Sequence, residues 1–141
     1  MNEIEKFILE HEKDCISKGA QEVSVINNIC DALDFKSGIM LKTYLLNYGF
    51  LSFSSVELLG VGVKVTSRLS AIRETKILRE KFGLPHGFIV IENIGDGLCI
   101  VCDESDRIFE FNYNQLPKEI NLNLNEYILK RFIESSEIST K

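Results

Sequence analysis

Apolar residues recur every three or four positions in five stretches of the chain, the spacing that places side chains on one face of an α-helix. The stretches that predict helices are 2–17, 22–33, 38–48, 67–82 and 124–134. Gly19, Gly49 and Gly83 follow three of these stretches, and glycine readily adopts the left-handed conformation that ends many helices. Ser67 could cap the fourth helix. The C-terminal tail, 135–141, is predicted to fray.

Two regions between these helices are instead rich in β-branched and aromatic residues bounded by glycines, which predicts strands. The predicted strands are 50–53, 56–65, 88–92, 98–102 and 107–112. Asp96 and Gly97 lie between two apolar runs and predict a β-hairpin, and residues 103–106 predict a second turn. This order of elements predicts an α+β fold, a single domain over residues 1–141 with a mostly antiparallel sheet flanked by helices.

Length and composition are those of an ordinary globular domain. The 141 residues suffice for one sizeable core, with 45% hydrophobic and 26% charged residues. No apolar run approaches the roughly 20 residues of a membrane span, and the charged first residues lack the apolar core of a signal peptide. We therefore predict a cytoplasmic protein with no membrane partner. The net charge of −5 argues against direct nucleic-acid binding through phosphate contacts and permits a basic protein partner.

The cysteines do not form the pattern of a metal or redox centre. The four cysteines are Cys15, Cys30, Cys99 and Cys102. Cys99 and Cys102 fall in a predicted strand, where residues three apart point to opposite faces, so their sulfur atoms diverge. We predict reduced thiols packed as small hydrophobic groups, with no metal and no cofactor. A cysteine-dependent enzyme, with His11 or His86 as the base, is a remote alternative.

Acidic residues cluster in the predicted meander, with six acids against one base between residues 92 and 110. Aspartate is common in turns, which is one explanation of the cluster. The other explanation is an acidic face that steers a basic partner. The residues predicted to contribute to partner binding are Glu92, Asp96, Asp103, Glu104 and Asp106.

One combination of motifs is more specific than any of its parts. VELLGVGV at 56–63 precedes a predicted helix, and GLPHGFIVIENIGDG at 83–97 and LCIVCD at 98–103 follow it. This order resembles the SUKH superfamily, whose members show Leu-Gly after a short strand, Leu-Pro before the next strand and an Asn before a Gly-Asp-Gly-like turn. The matching residues are Leu59, Gly60, Leu84, Pro85, Asn93, Gly95 and Gly97, with Asp103 ending the following strand. The chain departs from the family at Ile39 and Met40, where a Leu-Pro is usual.

The resemblance covers about residues 22–112 and carries expectations of fold and function. It implies a twisted sheet surrounded by helices, structural roles for the motif residues and no catalytic residues. Bacterial members of this superfamily are commonly immunity proteins, which bind and neutralise a cognate toxin, often a nuclease. We therefore expect a non-enzymatic immunity protein whose partner is a basic toxin. A regulatory adaptor with the same fold is the alternative.

Overall fold

A single meander of strands organises the chain. The structure, a computed structural model, describes residues 2–139. In chain order its elements are α1 Glu3–Glu10, β1 Cys15–Ser17, α2 Val23–Leu33, α3 Ile39–Tyr48, β2 Leu51–Phe53, β3 Val56–Leu58, α4 Ala71–Lys81, β4 Phe88–Gly95, β5 Leu98–Asp103, β6 Arg107–Asn112, β7 Lys118–Asn123 and α5 Leu124–Ser139. Each strand pairs antiparallel with the next, in the order β1 to β7. The predicted α+β fold is confirmed.

Helices cover the sheet and complete its core. α5 packs on β3 and β6, and α1 packs on α5, where the rings of Phe7 and Phe132 stack. β3 pairs with β4 at Leu58 and Glu92, so it does not reach the first half of β4. Helix α4 covers that half. There the buried Thr75 hydroxyl accepts the Val90 N–H at 3.0 Å, so the edge of the strand keeps a hydrogen bond.

Three predicted boundaries were wrong. The first helix ends at Glu10, because Cys15–Ser17 form an edge strand whose middle residue is opposite Ser52. The strand predicted over 56–65 ends at Leu58, and the chain then runs as a loop to α4. Ser70 rather than Ser67 caps α4, with its hydroxyl accepting the Arg73 N–H at 3.2 Å.

The C-terminal part differs in two further ways. Strand β7 was not predicted, because four of the six residues of its sequence KEINLN are polar and Asn121 interrupts it with a positive φ of 59°. Helix α5 continues to Ser139, beyond the predicted end at 134. The tail predicted to fray, 135–141, overlaps this helix; fraying stays a prediction, and residues 140 and 141 lie outside the described residues.

Candidate functional site

Glu92 is committed to an internal ion pair rather than presented to solvent. Its buried carboxylate accepts bonds from Arg131 Nε at 2.9 Å and Nη2 at 2.8 Å, and from the Tyr127 hydroxyl at 2.6 Å. Burial, followed by the neighbouring carboxylate, raises the pKa of the Tyr127 hydroxyl, which therefore stays a donor. The hydrogen bonds to Glu92 raise the pKa of Arg131. This cluster connects α5 to β4 and was not predicted from the sequence. The only sign of it there is that Tyr127 and Arg131 are four residues apart and therefore share one helix face.

The turn between β5 and β6 is built by its own aspartates. Asp103 Oδ1 accepts the N–H groups of Ser105 and Arg107 at 2.8 and 2.9 Å, and its Oδ2 accepts Arg107 Nε at 2.8 Å. Asp106 reaches across to α3, where its carboxylate accepts the N–H groups of Met40 and Leu41, both at 3.0 Å. Since Gly38, the residue before α3, has no side chain to cap it, Asp106 acts as the cap from a distant part of the chain.

Replacing Asp106 by alanine should lower the free energy of unfolding by about 1–2 kcal/mol more than Asp96→Ala does. Both residues have a left-handed backbone, with φ of 63° and 54°, so both variants carry the same kind of backbone strain. The difference isolates the two bonds to α3. Urea unfolding of the two variants measures it, and equal losses would show that the cap contributes nothing.

The five predicted carboxylates do not form one face. The exposed Asp96 lies in the β4–β5 turn, whereas the exposed Glu104 lies in the β5–β6 turn and accepts the Lys36 N–H at 2.7 Å. The two turns are at opposite ends of β5, and a six-residue antiparallel strand is roughly 17 Å long. A partner would have to break internal bonds to use Glu92, Asp103 or Asp106, so Asp96 and Glu104 are the two within easy reach.

The motif residues lie at turns and in the core. Leu84, which precedes Pro85, is buried. Its N–H donates to the carbonyl of Leu78 in the last turn of α4. Asn93 Oδ1 accepts the Gly95 N–H at 2.9 Å. Gly95 and Gly97 flank the hairpin turn with φ of 104° and 82°, a conformation that glycine adopts without strain. The spacing of Asn93, Gly95 and Gly97 therefore corresponds to one irregular hairpin end, where the register between β4 and β5 also shifts.

Among the residues that the structure describes, no hydrogen bond joins a thiol to an imidazole. Cys99 and Cys102 are buried in β5, and burial raises the pKa of Cys99 to about 11 and that of Cys102 further. The His11 ring stacks on Phe7 in the core, with 4.0 Å between ring centroids, while His86 is exposed in a loop. Within residues 2–139 there is no group of three or more His, Cys, Asp or Glu side chains that could hold a metal ion.

Iodoacetamide should therefore leave Cys99 and Cys102 unmodified in the folded protein. A thiol with a pKa of about 11 holds roughly a hundredfold less thiolate near neutral pH than one with the ordinary value of 9.0. The half-buried Cys30 serves as the internal control. Peptide mass spectrometry after labelling, with and without denaturant, measures the difference, and rapid native labelling at either position of β5 would support a nucleophilic cysteine.

A groove between three helices lies on the surface of the protein. Two depressions of about 100 and 230 Å³ share Asn2, Ile4 and Asn125 and so form one groove between α1, α3 and α5. We call it the three-helix groove. Its other lining residues are Glu3, Ile39, Met40, Thr43, Tyr44, Asn47, Tyr48, Glu126, Ile128 and Leu129. Ile39 is 83% exposed at the start of α3. One sign of the groove is visible in the sequence, since Ile39 lies off the apolar stripe of the predicted helix 38–48.

Comparison with known families agrees with this architecture. Residues 4–133 match the family SUKH_5, described as SMI1-KNR4 cell-wall. The match covers most of the chain, so the protein belongs to this family and to the SUKH superfamily. No individually curated protein matches the chain. In the part of the chain that the structure describes, none of the helices is both long and apolar enough to span a membrane.

Proposed function

We propose that this chain is an immunity protein that neutralises a cognate protein toxin by binding it stoichiometrically. Membership of the SUKH family over residues 4–133 is the observation that carries the proposal. The net charge of −5 supports a basic toxin, such as a nuclease, because complementary charge raises the association rate and orients the encounter. In this proposal the protein acts in the cytoplasm, where it blocks the toxin without chemistry of its own.

The buried thiols support a binding role over a catalytic one. A cysteine nucleophile needs access to substrate and a nearby base. Cys99 and Cys102 instead lie on the two faces of the central strand β5, with partners in β4 and β6 on either side. Glu92, the most buried of the predicted carboxylates, is occupied by Arg131 and Tyr127. These groups serve packing, and we propose that the function is carried by the surface.

A regulatory adaptor is the second candidate, because the description of the matched family refers to the cell wall and not to a toxin. An adaptor with this fold would bind a regulatory protein instead of a toxin. The identity of the partner separates the two candidates, since both predict a bound protein and neither predicts turnover.

The decisive experiment recovers the partner and then tests protection. Tagged protein is isolated from its own cells in high salt, and mass spectrometry identifies whatever remains bound at equal stoichiometry. The toxin domain encoded beside its gene is then expressed with and without the chain. We expect a one-to-one complex and restored growth. A stoichiometric regulatory partner with no effect on toxicity would favour the adaptor, and toxicity unchanged by the chain would contradict the immunity proposal.

A further inference from the structure

The three-helix groove combines an apolar floor with two glutamates and no basic residue among the residues that line it. Ile4, Met40 and Leu129 contribute apolar surface, and neither lysine nor arginine is among the lining residues of the two depressions. Glu3 and Glu126 stand at the rim on α1 and α5. The other polar lining residues are neutral amides and hydroxyls. The Tyr44 hydroxyl is already bonded to the Leu58 and Leu59 carbonyls, so an incoming backbone would use the asparagine amides.

The negative field extends along α1. Tyr48 at one end of the groove has its pKa raised by burial and by the charge of Glu5, which therefore acts on the groove as well. Lys6 approaches Glu3 at 4.0 Å, but both side chains are exposed, and such a pair contributes less than about 1 kcal/mol and exchanges readily. A cation brought by a partner could replace it.

We propose that the three-helix groove docks a segment of the partner protein that carries an apolar side chain flanked by lysine or arginine. The apolar side chain would cover Ile39 and enter the groove, and the basic residues would meet Glu3, Glu5 and Glu126. This inference rests on the proposed function for the identity of the partner, since the toxin is expected to supply the segment. The contact itself requires only a protein of that chemistry.

Charge also argues against the other occupants of such a groove. A second copy of the chain would bring two sets of rim carboxylates together, and like charges across an interface are unfavourable. Nucleic acid is disfavoured for the same reason, because its phosphates need basic residues that the groove lacks. A basic protein segment alone satisfies both the floor and the rim.

Site-specific photocrosslinking tests the groove directly. The photoreactive residue p-benzoylphenylalanine is placed at position 39 of the full chain in its own cells, and at position 116 as the control. Leu116 is 85% exposed and lies between β6 and β7. Ile39 is 83% exposed and is the first residue of α3. Asp106, which caps α3, precedes β6, so Ile39 and Leu116 lie near opposite ends of that strand. The two positions are thus matched in exposure and residue type but far apart.

We expect irradiation to give one discrete adduct from position 39 and none from position 116, with a crosslinked peptide that contains an apolar residue next to lysine or arginine. No adduct from position 39, an adduct with a second copy of the chain, or a crosslinked peptide without basic residues would overturn the inference. An adduct of the expected chemistry with a protein that is not a toxin would keep the groove and refute the immunity proposal.

An affinity measurement with the crosslinked partner gives the magnitude. Ile39→Ala should weaken binding about thirtyfold, as expected for an apolar anchor, whereas Leu116→Ala should change it less than about twofold. Both residues are exposed, and alanine has the highest helix propensity, so the Ile39 variant should fold normally. Equal affinities for the two variants would exclude Ile39 as an anchor.

Discussion

Replacing Glu92 by alanine should lower the free energy of unfolding by about 3 kcal/mol, among the largest losses expected for a single side chain of this protein. The change removes three bonds at once and leaves the Arg131 guanidinium and the Tyr127 hydroxyl facing the core without an acceptor. Arg131 keeps 27% of its side chain exposed and so retains some contact with water, which places the loss at the lower end of the range for buried pairs.

The exposed pair of Glu57 and Arg68 provides the control. Its oxygen and nitrogen atoms are 2.7 Å apart, close to the 2.8 Å of the buried pair, but the two side chains are 39% and 72% exposed. Glu57→Ala should therefore change stability by less than about 1 kcal/mol.

The double variant Glu92→Met with Arg131→Met should lose less stability than the sum of the losses of the two single variants, because neither charge is left unpaired. Urea unfolding measures these five variants, and additive losses for the two methionine changes would contradict the coupling.

Elements with a strong local pattern were predictable from the sequence. Helix α2 buries Ile26, Ile29 and Leu33 on one face, as the spacing indicated. The hairpin of β4 and β5 follows from the apolar runs around Asp96 and Gly97. Both elements depend on residues close in sequence, so the apolar period and the turn residues were sufficient.

The two edge strands could not be predicted in the same way. Strand β1 has only three residues and continues the apolar pattern of α1, so Cys15 reads as one more helical position. It becomes a strand because β2 offers hydrogen bonds to Cys15–Ser17 from a distant part of the sequence. Strand β7 is two-thirds polar and is recognisable only through its pairing with β6.

The candidate site was predictable in its composition but not in its contacts. An excess of carboxylates in the meander is visible in the sequence, yet their roles depend on partners far away in the chain. Asp106 meets Met40 across 66 residues, and Glu92 meets Arg131 across 39. A sequence shows that a carboxylate is present; the fold decides whether it faces water or a buried donor. The three-helix groove depends in the same way on three helices meeting.

Replacing Gly60 by alanine should remove at least about 4 kcal/mol of stability, a large part of the free energy of unfolding of an ordinary domain. A Cβ atom at this position would lie 1.7 Å from the Gly49 carbonyl oxygen and 2.8 Å from the Gly49 carbonyl carbon. Both atoms belong to the backbone, which cannot rotate aside as a side chain would. Gly60 also makes two hydrogen bonds at the start of α4, donating to the Leu69 carbonyl and accepting from the Ala71 N–H, both at 2.9 Å.

Gly87→Ala separates this steric clash from the general effect of losing a glycine. Gly87 has a φ of 90°, and a Cβ atom there would have no neighbour within 4 Å. Its replacement should therefore lower stability by only about 1–2 kcal/mol, through backbone strain alone. Circular dichroism and urea unfolding of the two variants measure the contrast. If Gly60→Ala were as stable as Gly87→Ala, the close approach of Gly60 to the Gly49 carbonyl at the end of α3 would be disproved.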